Sequence, residues 1–93
     1  MILKIAPLIT KSIMHVGVYT IKDTLFNEEA TKVIAKTTTG EITILPDHLP
    51  IVSTLVPGIL RIFEKNGVEK TIEIKSGVLE IRPESKIVIL ASA

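Results

Sequence analysis

Cysteine is absent from the 93 residues, which excludes disulfides and thiolate-held metals and fits a reducing compartment. Tryptophan is absent too, and aromatics make up only 3%: Tyr19, Phe26 and Phe63. Charge of one sign is also scarce, with 11 basic residues against 10 acidic ones and a net charge of +1. Lacking a basic stripe and a set of aromatic stacking platforms, the chain offers little to nucleic acid. Long apolar runs are missing as well. The longest uncharged stretch, His48 to Leu60, has 13 residues and is broken by Pro50 and Pro57. A membrane-spanning helix needs about 18 or more apolar residues, so none is predicted. The opening MILKIAPLITKSIMH lacks acids, but Lys4 and Pro7 interrupt it and no small-residue cleavage site follows, which argues against a secretory leader.

What the chain has in quantity is β-branched side chains. Isoleucine (16), valine (8) and threonine (10) together supply 34 residues. Such side chains are stiff at χ1 and fit a pleated surface, so the composition points to β structure. The length allows one domain with one modest core. A mean hydropathy of +0.47 beside 23% charged residues implies a dense core or apolar surface reserved for a partner.

Periodicity places the strands. Val68 to Lys75 alternates, with Val68, Ile72 and Ile74 on one face and Glu69, Thr71, Glu73 and Lys75 on the other. Asn66-Gly67 precedes it and follows another strand-like run, which predicts a hairpin with a type I′ turn. Further strands are predicted over Met14–Ile21, Ala30–Thr37, Ile42–Leu45, Leu49–Leu55, Val78–Ile81 and Ile87–Leu90. Turn residues separate them at short intervals, the pattern of a small β-sandwich or barrel. No stretch shows helical periodicity over eleven or more residues.

The segment GEITILPDHLPIVSTLVPG, Gly40 to Gly58, is apolar yet cut by Pro46, Pro50 and Pro57. Each proline fixes φ and removes an N–H, so the segment must pass in and out of strands. Asp47, His48 and Ser53 invite comparison with a hydrolytic triad. They sit in one short stretch, whereas triads assemble from separate segments, so a turn, a surface histidine and a strand hydroxyl are the expected reading. His15 and His48 lack metal-binding spacing. The five glycines are scattered rather than gathered in a phosphate loop. Glu28-Glu29 is expected to be a solvated turn. The residues alone therefore predict a small β domain without an active site, whose function lies in a surface.

Taken together, the Val18…Phe26 opening, GEITILPDHLPIVSTLVPG, ILRI at Ile59–Ile62, SGVLEI at Ser76–Ile81 and the closing IVILASA resemble the epsilon subunit of F-type ATP synthases, called delta in mitochondria. The likeness runs from about Val16 to Ala93. Asp47 and Thr43 stand where the family pattern has glycine. The resemblance implies an all-β fold: a small β-sandwich of two packed sheets over residues 14–93. Residues 1–13 are expected as an N-terminal extension. Its ILKIAP itself looks like a family first strand, so it is a duplicated strand, a displaced one or a tail. Family members continue into a C-terminal helical hairpin. This chain stops at Ala93, where that hairpin would start, so the sandwich is expected without it.

The resemblance further implies a non-catalytic rotor subunit of the central stalk, coupling c-ring rotation through gamma to the catalytic head in proton-driven ATP synthesis. It implies a peripheral location on the cytoplasmic face of a bacterial inner membrane, or the equivalent organelle face. Partners are the gamma subunit and the c-ring, with no direct membrane insertion, no cofactor and no nucleotide binding. By matching positions, Thr20, His48 and Ser53 are expected to face gamma, and Thr38 and Glu41 to meet the c-ring. Thr37 to Glu41 is also a polar tip between two apolar runs, which places it at an end of the sandwich. The competing expectation is a free-standing β-sandwich interaction module that uses the same surface for another partner.

Overall fold

The computed structural model describes residues 13–93, and the expected extension lies outside them apart from Ile13. Its strands are β1 (Met14–Tyr19), β2 (Thr24–Thr37), β3 (Gly40–Ile44), β4 (Ile51–Leu55), β5 (Gly58–Glu64), β6 (Glu69–Ile74), β7 (Ser76–Arg82) and β8 (Lys86–Ser92). No helix occurs among the described residues. The fold is the expected all-β sandwich.

Strand β2 organises it. With 14 residues it is twice as long as β5, β7 or β8, and its two halves serve different layers. One edge of β2 pairs first with β1 and then with β3, which lie end to end. Its other edge pairs with β5 and, at Thr37, with Leu55 of β4. The first layer runs β2–β1–β8–β7–β4, with β1 and β8 parallel and the other neighbours antiparallel. The second runs β3–β2–β5–β6. Hydrogen bonding is thus continuous from one layer to the other. Because β4 returns to β2, the first layer closes on itself and loses part of its exposed edge.

Alternation explains the core. Val16 and Val18 of β1, Val33 and Ala35 of β2, Ile44 of β3, Leu60 and Ile62 of β5, Leu79 and Ile81 of β7, and Ile87 and Ile89 of β8 all point between the layers and are buried. The first half of β2 escaped the sequence reading, which began this strand at Ala30. Leu25, Asn27, Glu28 and Glu29 are exposed there and only Phe26 points inward, so the period-two signal is faint.

Two turns differ from simple expectation. At Asn66-Gly67 only Gly67 has positive φ, at 86°, so the predicted type I′ turn does not form. Gly67 N–H donates to the Glu64 carbonyl at 2.9 Å and Glu64 N–H donates to the Val68 carbonyl at 2.8 Å. This is a three-residue loop over Lys65, Asn66 and Gly67, a type I turn followed by a left-handed glycine that makes a bulge. Asn66 accepts the Val68 N–H through its side chain at 3.0 Å instead of turning its own backbone. The bulge leaves Val68 exposed, so β6 starts at Glu69. At Pro83-Glu84-Ser85 the left-handed positions are non-glycine: φ is 65° at Glu84 and 57° at Ser85.

Gly77 in β7 shows how closely the layer is packed. A Cβ there would lie 2.7 Å from the Leu90 carbonyl oxygen and 3.3 Å from the Ala91 Cα, both backbone atoms that cannot turn aside. Gly77→Ala should therefore destabilise the domain by about 1–3 kcal/mol, the usual cost of overpacking. Thermal unfolding should report a Tm drop of roughly 4–8 °C per kcal/mol for a domain of this size. An unchanged Tm would mean that β7 and β8 are not held at this distance.

Candidate docking surface

The outer faces of the two layers differ in chemistry. On the second layer, the Lys32 ammonium stands 4.4 Å from the Phe63 ring centre and the Arg61 guanidinium 5.4 Å. Arg61 also pairs with Glu69. The hydrogen bond from Arg61 holds the Glu69 carboxyl below its ordinary value, and the same contact raises the guanidinium. This face is a solvated, charge-paired surface, with Ile59 exposed at its rim.

On the first layer, cross-strand register builds rows of outward side chains. Thr54, Val78, Leu90 and Tyr19 form one row. Val52, Glu80, Val88 and Gly17 form the next. Arg82, Lys86 and His15 close the face, with Arg82 paired to Glu80 at 3.1 Å. The Tyr19 ring lies flat over Gly17, a place no larger residue would leave free. Val52 is 70% exposed, Leu90 58% and Val78 44%. Leu49, in the loop just before β4, is 77% exposed as well. The result is an apolar centre with a charged margin at one end, the anatomy of a protein interface.

The residues expected to face gamma do not form a cluster. Thr20 follows β1 and caps the β1–β2 turn, its Oγ accepting the Asp23 N–H at 2.9 Å. His48 lies near the opposite end of this layer, in the β3–β4 loop. Ser53 is half-buried on β4, opposite Leu79. Thr20 and His48 lie towards opposite ends of the first layer, with the apolar rows between them, whereas Ser53 shares the core-facing side of β4 with Leu55. Sequence reasoning missed those rows because Val52, Val78 and Leu90 look like core residues until the register shows which way they point. Thr38 and Glu41 stand together at the β2–β3 turn, where Thr37 Oγ donates to the Gly40 carbonyl at 2.8 Å. Thr38 N–H donates to the Thr54 carbonyl at 3.1 Å, which ties the exposed tip to β4.

No catalytic arrangement joins Asp47, His48 and Ser53. His48 Nδ1 donates to the Leu49 carbonyl at 2.8 Å, while the Asp47 carboxylate accepts from Ser85 Oγ at 3.2 Å. His15 instead meets the Asn27 side-chain oxygen at 2.7 Å. No group of three or more potential metal ligands occurs among the described residues.

Comparison with known proteins gives this surface its setting. Residues 13–93 match the family model for the ATP synthase delta/epsilon chain, β-sandwich domain. The chain belongs to that family. Curated members include the ATP synthase epsilon chain of Acinetobacter baumannii, 36% identical over 80 residues, which cover 86% of this chain and 58% of that one. The epsilon chain of Psychrobacter arcticus is 39% identical over 72 residues, 77% of this chain and 52% of that one. The chain thus spans little more than half the length of these relatives. Solved structures share the fold at 19% identity. A chain of the Euglena gracilis mitochondrial ATP synthase, in a structure of OSCP, F1 and c-ring, superposes with a TM-score of 0.85 over 90% of this chain and 53% of that one. A chain of the Tetrahymena thermophila mitochondrial ATP synthase central stalk and c-ring gives 0.74 over 90% of this chain and 66% of that one.

If Leu90 faces outward and Ile89 inward, their substitutions separate. Leu90→Ser should change stability by no more than about 0.5 kcal/mol, as surface changes do. Ile89→Ala should cost about 2–5 kcal/mol. Urea unfolding of the two variants checks this, and comparable losses in both would mean that the first layer's outer face is covered by this chain itself.

Proposed function

We propose that this domain is a non-catalytic part of an ATP synthase rotor, in which it docks on gamma through the first layer and meets the c-ring through the β2–β3 turn. The observation that carries the reading is the contrast between the two outer faces. A domain that worked alone in water would have no use for an apolar centre of Val52, Val78, Leu90 and Tyr19 beside an opposite face that carries charged side chains and an Arg61–Glu69 ion pair. Membership of the delta/epsilon family supplies the partner class. The two related assemblies, one of F1 with a c-ring and one of central stalk with a c-ring, supply the setting.

In this reading Thr20 and His48 border the gamma contact, and Ser53 lies beneath it on the core-facing side of β4. Leu49, Val52, Val78 and Leu90 supply its desolvated centre, where most binding energy resides. Thr38 and Glu41, at a polar tip closed by Thr37, meet the loops of the ring, where complementary charge sets register and on-rate more than affinity. The β5–β6 loop at Asn66 lies at the other end of the second layer, away from that tip. Torque passes from ring to gamma through the sandwich as a stiff body, so the domain itself binds no nucleotide or cofactor. It sits peripherally on the membrane complex, on the cytoplasmic face in a bacterium. The competing reading, a free-standing interaction module, uses the same apolar face for another protein.

Two variants test the reading. His48→Glu and Val78→Glu each place an unpaired charge at a desolvated contact, and each should weaken binding to purified gamma by about 2 kcal/mol or more in calorimetry. Cysteine at Glu41 should cross-link to cysteine in a c-subunit loop under mild oxidation, whereas cysteine at Asn66 should not. Full affinity in both charge variants would remove gamma from this face, and cross-linking from Asn66 alone would invert the sandwich on the ring.

A further inference from the structure

Asp47 and Ser85 are 38 residues apart, yet they hold one another. Both carry left-handed backbone, with φ of 65° and 57°, a conformation that costs a side-chain-bearing residue energy it does not cost glycine. Asp47 N–H donates to Ser85 Oγ at 2.9 Å, and the same hydroxyl donates to Asp47 Oδ1 at 3.2 Å. The Ser85 side chain is thereby used as acceptor and donor at once. Ser85 is 6% exposed, and its carbonyl accepts the His15 N–H at 2.9 Å. One buried serine therefore joins the start of β1, the β7–β8 turn and the β3–β4 loop, at the point where β1 and β3 meet end to end along β2.

The loop it holds has little other freedom. Pro46 and Pro50 fix their own φ and restrict Leu45 and Leu49 before them. Only Asp47 and His48 remain to rotate, and His48 N–H already closes a turn onto the Leu45 carbonyl at 3.2 Å. Fixing Asp47 consequently fixes the direction in which His48 and the following Leu49 leave the sandwich. We propose that the Asp47–Ser85 clasp positions His48 for the gamma contact, so that Ser85, which touches no partner, is a positioning residue for docking. This rests on the reading that His48 meets gamma.

Ser85→Gly is the decisive variant, because glycine keeps the left-handed backbone without strain while the hydroxymethyl side chain that makes both bonds is removed. The Asp47 amide should then exchange with deuterium at least about tenfold faster, while those of Val16, Val18 and Ile89 keep their wild-type rates. Affinity for purified gamma should fall about five- to tenfold, roughly the net worth of one hydrogen bond. Ser85→Asn, which tolerates left-handed backbone and retains an acceptor and a donor, should stay within about twofold of wild type. Unaltered exchange at Asp47 in Ser85→Gly overturns the clasp. Unaltered gamma affinity in Ser85→Gly, with His48→Glu weakened, overturns the positioning role alone. Unaltered affinity in His48→Glu overturns the gamma reading itself and the proposal with it.

Discussion

The structure depends on one strand that is shared by two layers and is paired on both edges at Ala30, Val33, Ile34 and Thr37. Strand β2 pairs with β1 and β3 on one side and with β5 and β4 on the other. Each buried peptide group must find a partner, and a strand shared by two layers supplies partners to both. Because β1 and β3 meet end to end along β2, the chain must cross from one layer to the other at that junction, and Ser85 and Asp47 stitch it there. Because β4 closes back onto Thr37, the exposed β2–β3 tip is anchored to β4 and does not hang free. The position of each candidate contact thus follows from how β2 is paired.

The same pairing decides which apolar side chains are spare. Register alternation sends Leu79, Ile81, Ile87 and Ile89 into the core and Val78, Val88 and Leu90 out of it. A 93-residue chain buries a modest core, and a face left apolar gives up solubility for a partner's benefit. The second layer answers the same problem with charge, through Arg61–Glu69 and Lys32 over Phe63. Such exposed pairs add little to stability, but they keep that face wet.

Much of this was legible in the sequence. Period-two alternation placed β6 to within two residues, and the prolines of Gly40–Gly58 marked the entries and exits of β3, β4 and β5. The first half of β2 was not legible, since exposed polar residues at an edge carry no burial signal. The turn at Asn66-Gly67 was recognised as a hairpin but not as its type, because an Asn-Gly pair fits both a two-residue and a three-residue loop and the strand register selects between them. Asp47 stood out as a departure from the family's glycine. Its φ of 65° explains why glycine suits that position, and its bond to Ser85 explains how aspartate can take it. No sequence pattern pointed to Ser85. His48, Ser53 and Thr20 were singled out by resemblance, and only the register shows that the apolar rows lie between His48 and Thr20 and that Ser53 faces the other side of β4.

The central claim is that the first layer's outer face is the docking face, and methyl NMR tests it directly. With isoleucine, leucine and valine methyls labelled, unlabelled gamma is titrated into the domain. The account predicts broadening or shifts at Leu49, Val52, Val78 and Leu90, with Ile34 and Ile59 of the second layer unchanged. Perturbation of Ile34 and Ile59 with Val52, Val78 and Leu90 unmoved would contradict it.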